Sequence, residues 1–428
     1  MRGVFTSAER PPDVQGLRDL LPEEAEALRA TQEALLGELR RWGYRFVVTP
    51  TLESLDVLER GLGPEQRRRL FKLSDSDGSI LALVGERTVP VARLVAGKMR
   101  SRPLPLRLCY AGPVLTSEAG RFIRMRESHQ VGAELIGAGG APADAEMIAL
   151  AVRALDACGL RRYQLDVGHV GFFIGLLEGL QVSDQIRSEI RGALQGRDLV
   201  RLEALLDATP LRSAEHELLL RFPALRGGLE ILDAAAALVQ NRRSERALEE
   251  LRTVLDLIRA HGLQDSVNVD LGAIRDFEYY SGVVFQGYLP ELGQALAQGG
   301  RYDGLLARFG RPAPATGFVL NLDLVAEAMR PTLGGTARPA LDAAVAWAQG
   351  GLPPALKCGL SLRLFGIRTV VDTEPRGLAA ARQWAAGLGA RDLVRVSGEE
   401  DAMWFREGRR GRRLPLAQVV GRLAGRDG

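Results

Sequence analysis

Arginines gathered in one polar segment are the residues of this sequence best suited to chemistry. The segment TSEAGRFIRMRES (116–128) joins two apolar runs, LRLCYAG (106–112) and QVGAELIG (130–137), which have the composition of strands. Its arginines are Arg121, Arg124 and Arg126. Arginine donates paired hydrogen bonds to phosphate or carboxylate, and the segment is long for a tight hairpin turn. We therefore predict a functional loop between two strands.

Two other basic runs, RRRLF (67–71) and REGRRGRR (406–413), could contact phosphates. Short basic runs are more often solvated faces or turns, and we favour that interpretation here. The 56 lysines and arginines are nearly balanced by 53 acidic residues, which leaves a formal net charge of +3. The charge balance therefore does not predict a nucleic-acid partner.

No metal and no cofactor are predicted. The sequence has no phosphate loop of the form GxxxxGKS or GxxxxGKT, no GxGxxG after a strand and no HExxH. The histidines and cysteines are scattered, namely His129, His169, His216, His261, Cys109, Cys158 and Cys358. Three widely spaced thiols suit neither a disulfide framework nor a clustered zinc site, so we expect reduced cysteines in packed surroundings.

The elements that would position the arginine loop form a predicted antiparallel sheet. Apolar residues recur at helical spacing from Pro22 to Trp42, and YRFVVTP (44–50) follows as a strand. Another strand is predicted at YYSGVVFQGY (279–288), beyond a largely helical region between about 170 and 262. Strands that follow one another along the chain favour antiparallel over parallel pairing.

A smaller domain is predicted at the end of the sequence. PTLGGTARPA (331–340) mixes Pro, Gly, Thr and Ala and is typical of a linker. The residues 341–428 alternate helix-like and strand-like runs and indicate a small α/β domain. A chain of 428 residues is expected to form two or three domains, so we expect a main domain at 1–330 with its helical insertion at about 170–262.

Composition indicates a globular protein, with 46% apolar and 25% charged residues. The first residues lack the apolar core of a signal peptide. No stretch reaches the roughly 18 apolar residues of a membrane span. We therefore expect a cytoplasmic protein that has no membrane contact.

Five blocks of the sequence resemble, in the same order, histidyl-tRNA synthetase, a class II aminoacyl-tRNA synthetase. QGLRDLLPEEA (15–25) with GYRFVVTPTLE (43–53) is similar to its opening and first class motif. RLCYAGPVLTSEAGRFIRMRESHQVGAELIG (107–137) is similar to its second class motif. IRDFEYYSGVVF (274–285) and GGRYDGL (299–305) resemble the histidine-specific motifs, and PATGFVLNLDLV (314–325) resembles the third class motif.

The resemblance covers roughly the first 330 residues and implies an α+β fold. The implied fold is a class II synthetase-like antiparallel sheet flanked by helices, with a helical insertion before the histidine-specific motifs. It implies a homodimer built by the helix at 22–42 and the strand at 44–50. The small C-terminal α/β domain would then be a degenerate relative of the anticodon-binding domain.

A histidine-sized pocket is also implied. Histidine needs acceptors for its ammonium group and its imidazole N–H, and a cation near its carboxylate. The positions that match the pocket of the family are Glu86, Thr88, Gln130, Glu134, Arg275, Tyr279, Tyr280 and Tyr302. Each has a structural alternative, such as an ion pair between Glu134 and a neighbouring arginine, or tyrosines that only serve the sheet.

Two arginines of the synthetase reaction are missing in the same comparison. Thr116 stands where the second motif has the arginine that bridges the α-phosphate, and Leu324 stands where the third motif has the arginine that stacks on adenine. Losing one such donor to a transition state costs about 3 to 4 kcal/mol. The amino-acid loop is also altered, to VGERT (84–88) from RPEGT. We therefore predict no adenylate chemistry and no catalytic residue.

A synthetase-like body without those arginines resembles the family of ATP phosphoribosyltransferase regulatory subunits. DVGHVGFFIGLLEGL (166–180) and GVVFQGYLPELGQALAQGGRYDGL (282–305) are especially similar to that family. The resemblance implies a protein of histidine biosynthesis that has no chemistry of its own. It would assemble with the short catalytic subunit as a hetero-oligomer, activate it, and allow allosteric feedback inhibition by histidine.

Two other functions stay open on the sequence alone. One is a divergent histidyl-tRNA synthetase, a ligase, which histidine-dependent ATP–pyrophosphate exchange would distinguish. The other is a synthetase paralogue that binds tRNA or another protein without catalysis. We rank tRNA binding last, because the charge balance gives no strong electrostatic footprint. The tail offers only the scattered aromatics Trp347, Trp384 and Trp404, which are more typical of a core than of a base-stacking face.

Overall fold

The computed structural model describes residues 14–117, 125–196, 198–239, 241–272, 279–291, 293–333, 341–406 and 410–425. Three arginines of the sequence analysis, Arg121, Arg124 and Arg275, lie outside these residues. The chain divides into two compact units, Met1–Arg330 and Pro331–Gly428, and each is described here by itself.

Helices make up a large part of the first unit. They are α1 (Pro22–Arg41), α2 (Leu55–Gly61), α3 (Pro64–Arg68), α4 (Thr88–Ala96), α5 (Ala141–Ala157), α6 (Val170–Gly179), α7 (Asp184–Gly196), α8 (Leu199–Asp207), α9 (Ser213–Arg221), α10 (Glu230–Ala236), α11 (Arg242–Ala260) and α12 (Leu322–Leu333). Short 3-10 turns lie at Phe222–Ala224, Gln264–Ser266 and Leu306–Phe309. As the sequence predicts, the region between about 170 and 262 is largely helical.

The strands of the first unit form a large sheet and a small one. They are β1 (Arg45–Phe46), β2 (Leu52–Ser54), β3 (Lys72–Ser74), β4 (Ile80–Leu83), β5 (Leu106–Leu115), β6 (Glu127–Ile136), β7 (Gln164–His169), β8 (Arg226–Gly227), β9 (Val267–Asp270), β10 (Val283–Tyr288), β11 (Ala295–Arg301) and β12 (Ala315–Asn321). Among the described residues, nine of them form one sheet in the order β1-β5-β6-β12-β11-β10-β7-β9-β8. The small sheet has the order β2-β4-β3.

The large sheet is antiparallel from β5 through to β7, which confirms the predicted class II synthetase-like sheet. Its parallel pairs are β1 with β5 and β7 with β9. Helices α1, α5 and α11 flank it. The sequence of α5 is apolar on most of its faces, so Met147, Ile148 and Leu150 are fully buried in the main core.

Two predicted strands are shorter than expected. The strand at 44–50 is reduced to β1, where Arg45 and Phe46 pair with β5 and the Val47 N–H still donates to the Cys109 carbonyl. A proline at position 50 has no N–H to extend the ladder. The strand at 279–288 begins only at Val283, so the two tyrosines at 279 and 280 precede β10.

The second unit is a five-stranded sheet with helices, which confirms the predicted small α/β domain. Its helices are α13 (Leu352–Leu364), α14 (Leu378–Gly387) and α15 (Leu416–Leu423), and its strands are β13 (Leu341–Trp347), β14 (Thr369–Val371), β15 (Ala390–Gly398), β16 (Asp401–Arg406) and β17 (Arg412–Leu414). The order is β14-β13-β15-β16-β17. The Trp347 indole N–H donates to the Asp372 carbonyl and that of Trp404 to the Asp392 carboxylate, so both rings serve the domain itself.

The predicted linker at 331–340 begins inside α12, which runs on to Leu333.

None of the helices within the described ranges is both long and apolar enough to cross a bilayer.

Candidate functional site

The centre of the candidate site is Glu134 on β6. Successive strand residues point to opposite faces, so Gln130, Gly132 and Glu134 share one face of the sheet. Glu134 is only 1% exposed. Its Oε1 accepts a hydrogen bond of 3.1 Å from the Tyr110 hydroxyl, and its Oε2 accepts one from the Tyr302 hydroxyl. The carboxyl group is therefore enclosed between two tyrosines.

Glycines on neighbouring strands provide the room for this group. Gly317 on β12 lies directly opposite Glu134, and a Cβ atom at Gly317 would be 1.7 Å from Glu134 Oε2. Gly132 lies opposite Tyr110, and a Cβ atom there would be 2.4 Å from the Tyr110 hydroxyl oxygen. A side chain at either position would displace the carboxyl group or the ring that holds it.

Burial dominates the electrostatics of the site. Desolvation raises the pKa of Glu134 to about 8, and the nearby negative charge of Glu86 acts in the same direction. The side-chain hydrogen bonds from Tyr302, Thr88 and Tyr110 act against this rise in pKa. The Glu134 carboxyl group can therefore keep a proton near neutral pH, and a ligand cation beside it would favour the ionised form.

Three tyrosine rings lie beside the Glu134 carboxyl group. The centre of the Tyr279 ring lies 5.0 Å from the centre of the Tyr280 ring, and the two rings meet edge to face. It lies 5.4 Å from the centre of the Tyr302 ring. The Oε1 atom of Gln130 is buried and has no hydrogen-bond partner among the described residues. An unpaired buried polar atom costs about 1–3 kcal/mol, which a ligand with matching donors and acceptors would offset.

Glu86 and Thr88 approach the site from the start of α4. The Glu86 carboxylate caps this helix, because it accepts the backbone N–H groups of Thr88 at 3.0 Å and Val89 at 2.9 Å. Desolvation raises the pKa of Glu86 as well. The Thr88 side chain hydrogen-bonds to Glu134 and lowers its pKa. Glu86 therefore caps the helix, and both Glu86 and Thr88 influence the pKa of Glu134.

The structure brings most of the predicted pocket residues together. Glu134, Tyr302, Thr88 and Tyr279 lie in one cluster, with Tyr280 against Tyr279, and Gln130 lies on the same face of β6 as Glu134. Arg275, the expected cation for a ligand carboxylate, lies outside the described residues. The hydrogen-bond partners of Glu134 are tyrosines, so the alternative of an ion pair with a neighbouring arginine finds no support in the described residues.

Sequence reasoning missed Tyr110, Gly317 and Arg87. The buried Arg87 guanidinium donates from Nη2 to the Pro113 carbonyl at 2.7 Å and from Nη1 to the Thr49 carbonyl at 3.3 Å, which fixes the start of α4 against β5. The alternation of β5 places Tyr110 on one face, but only the register with β6 shows what its hydroxyl meets.

The two positions that lack the synthetase arginines are occupied by residues with structural contacts. The Thr116 N–H donates to the Arg126 carbonyl at 2.8 Å. Leu324 lies in the first turn of α12 and packs against the main core. The Arg126 guanidinium lies 4.5 Å from the centre of the Phe71 ring, in a cation–π contact. Arg126 is therefore already engaged by an aromatic side chain.

Metal ligation finds no geometric basis in the part of the chain that the structure describes. No group of three or more His, Cys, Asp or Glu side chains there lies in a position to hold a metal ion. The three cysteines are free thiols in buried positions.

Comparisons with known proteins agree with this architecture. The family model of histidyl-tRNA synthetase matches residues 16–325. An ATP phosphoribosyltransferase regulatory subunit from Moorella thermoacetica is 42% identical over 375 residues, which are 87% of this chain and 95% of that protein.

Solved structures give the same result. A crystal structure described as an ATP phosphoribosyltransferase regulatory subunit/histidyl-tRNA synthetase from Bacillus halodurans has a TM-score of 0.81 and 31% identity, over 92% of this chain and 100% of that one. Histidyl-tRNA synthetase from Nostoc has a TM-score of 0.80 at 19% identity, over 98% of this chain and 100% of that one, and shows the shared fold. The chain therefore belongs to the family of ATP phosphoribosyltransferase regulatory subunits, whose fold is that of histidyl-tRNA synthetase.

Proposed function

We propose that this chain assembles with the short catalytic subunit of ATP phosphoribosyltransferase, activates it, and makes it sensitive to histidine in the first step of histidine biosynthesis. One observation supports the proposal: Glu134, Tyr110 and Tyr302 form a hydrogen-bonded cluster, whereas Thr116 and Leu324 occupy the positions of the adenylate arginines. A site of this kind that lacks the arginines for adenylate formation is suited to sensing a ligand.

Histidine is the ligand we assign to this pocket. Its imidazole N–H would donate to Glu134, which Tyr110 and Tyr302 hold in place. Its ammonium group would donate to the unpaired Oε1 of Gln130, and the ring would lie against Tyr279. Each assignment matches a donor of histidine to an acceptor that is buried in the protein.

Regulation would follow from a difference in histidine affinity between two states of the complex. A ligand shifts an equilibrium only by as much as its affinities for the two states differ. Coupling between sites of this kind is typically about 1–3 kcal/mol, or about 5- to 150-fold in affinity. We propose that the inactive state of the complex is the one that binds histidine more tightly.

A homodimer is the second part of the proposal. Phe46 and Val48, at the edge of the large sheet, are 45% and 76% exposed, and Leu52 nearby is 42% exposed. Large apolar side chains exposed together at a sheet edge favour contact with another chain. We propose that a second copy of this chain covers them and that the resulting dimer carries the catalytic subunits.

Two measurements test the proposal. Calorimetric titration of the purified chain with histidine should show saturable binding, and size-exclusion chromatography with a short catalytic subunit should show co-elution. A histidine-dependent ATP–pyrophosphate exchange assay tests the alternative, a divergent histidyl-tRNA synthetase. Exchange at synthetase-like rates would establish the ligase and refute the regulatory function.

A further inference from the structure

A cleft of about 120 Å³ lies next to the Glu134 cluster and shares Tyr279 with it. One side is formed by the end of α2 and the start of α3, from Gly61 to Pro64, and Arg67, Tyr279 and Arg308 complete the lining. We call it the Arg67–Arg308 cleft. The proposed regulatory function assigns no role to it.

Two arginines line this cleft, and its lining includes no aspartate or glutamate. Arg67 donates from Nε to the Leu62 carbonyl at 2.8 Å, and Arg308 donates from Nη1 to the Arg60 carbonyl at 2.9 Å. Within the described ranges, neither guanidinium has an acidic side chain within ion-pair distance, although the neighbouring Arg69 pairs with Glu65. The two backbone carbonyls orient the guanidinium groups but do not neutralise them.

The positive charge in the cleft is not balanced by any carboxylate in its lining. Like charges lining one cleft repel each other, and a bound anion would replace that repulsion with attraction. Guanidinium groups match the paired oxygens of phosphate and carboxylate, and each has further N–H groups beyond the one bound to a carbonyl. The chemistry of the cleft therefore selects an anion with several oxygen atoms.

The other residues that line the cleft restrict the kind of ligand that fits it. Leu62 and Pro64 give the cleft an apolar side, and Tyr279 also lines it. An anion bound by the arginines would leave a carbon substituent against the apolar side. We infer that the Arg67–Arg308 cleft binds the phosphate group of a small molecule, supplied as a phosphomonoester or as free phosphate.

The test measures binding to the purified full-length chain at constant ionic strength. Inorganic phosphate, phenyl phosphate and acetate are titrated separately and followed by calorimetry. The variants are Arg67→Gln, Arg308→Gln and the charge-preserving Arg67→Lys. The control is Arg68→Gln, which removes the same charge one residue away from an exposed position that does not line the cleft. Circular dichroism confirms that each variant is folded.

We expect phosphate to bind saturably, and phenyl phosphate to bind more tightly because of the apolar side. A charged hydrogen bond contributes enough for each glutamine variant to weaken binding by about 10- to 100-fold, with Arg67→Lys between it and the wild type. Arg68→Gln should bind like the wild type. If phenyl phosphate binds no more tightly than inorganic phosphate, free phosphate is the ligand.

Three results would overturn the inference: no saturable phosphate binding, acetate binding as tight as phosphate, or an equal effect of Arg67→Gln and Arg68→Gln. Because no catalytic subunit and no histidine are present, failure here leaves the proposed regulatory function untouched.

Discussion

At the scale of single residues, the account depends on one carboxyl group and the hydroxyls that bind it. Glu134 is buried, and tyrosine hydroxyls contact both of its oxygens. A buried carboxyl group without partners would be costly, so Tyr110 and Tyr302 both stabilise it and orient it. Any ligand that uses Glu134 meets an acceptor of fixed position.

Removing one of these hydroxyls should weaken histidine binding. In Tyr302→Phe the ring is kept but the hydrogen bond to Glu134 is lost, and we expect the Kd for histidine to rise by about 10- to 100-fold. Tyr163→Phe is the control, because the Tyr163 hydroxyl bonds to the Val152 carbonyl and Asp156, outside the site. Calorimetry measures both variants, and equal effects would mean that the Glu134 cluster does not bind histidine.

The pKa of Glu134 predicts a dependence of stability on pH. The folded-state pKa is about 8 and the reference value is 4.5. Below pH 4.5 both the folded and unfolded states hold the proton, so the favourable contribution is fully present there. It is lost as the pH rises towards 8, because only the unfolded state has released its proton. Stability should therefore fall across this range.

Glu134→Gln removes the titrating group but keeps the shape of the side chain. We expect the unfolding temperature of this variant to decline less than that of the wild type between about pH 5 and pH 8. Glu203→Gln, at an exposed position of α8, is the control and should keep the slope of the wild type. Parallel pH profiles for Glu134→Gln and the wild type would show that Glu134 is ionised throughout this range.

At the scale of elements, the register of the large sheet builds the site. β5, β6 and β12 lie side by side, so that Tyr110 meets Gly132 and Glu134 meets Gly317 across the ladders. Tyr302 enters from the end of β11, and Tyr279 lies ahead of β10. Five strands, two of them through residues at their ends, and the start of α4 therefore supply one cluster, which explains why its residues are far apart in the sequence.

Gly317→Ala tests this register. Its new methyl group would fall on the Glu134 carboxyl group, so we expect a loss of about 1–3 kcal/mol in the free energy of unfolding and a weakened affinity for histidine. Gly304→Ala is the control, since no atom lies within 4 Å of the corresponding Cβ position. Urea denaturation measures both. A neutral effect of Gly317→Ala would contradict the described packing at Glu134.

Local pattern accounts for the elements that were predicted well. The apolar spacing of α1 and the runs that become β5 and β6 are visible in the sequence alone, and these elements match the predictions within a few residues. β1 is shorter than expected because a strand composition does not show how far the chain stays paired with its neighbour, and here the pairing with β5 stops after Phe46. The roles of Tyr110 and Gly317 depend on cross-strand neighbours, which periodicity along one strand does not contain.

The candidate pocket was predictable only through the family resemblance. Glu134 and Tyr302 occur in separate motifs, and nothing in their spacing alone places them in contact. The motif also does not reveal that the Glu86 carboxylate caps α4.

At the scale of the whole molecule, the proposed homodimer gives a prediction about the sheet edge. Val48→Asp would place a charge in the proposed interface, and burying an unpaired charge is strongly unfavourable. We expect light scattering to show a dimer for the wild type and a monomer for this variant. Val200→Asp is the control, because Val200 is 81% exposed on α8 and should leave the dimer intact. A wild-type chain that is monomeric at high micromolar concentration would contradict the proposal.

The activity of a short catalytic ATP phosphoribosyltransferase, measured with and without this chain, tests the central claim most directly. The assay contains ATP and phosphoribosyl pyrophosphate, follows formation of phosphoribosyl-ATP, and is repeated with histidine. We predict that this chain raises the rate and that histidine then inhibits it, with coupling of about 5- to 150-fold. We also predict that inhibition by histidine is weakened by Tyr302→Phe but not by Tyr163→Phe. The account would be contradicted if the catalytic subunit had the same rate with and without this chain and responded to histidine in the same way in both cases.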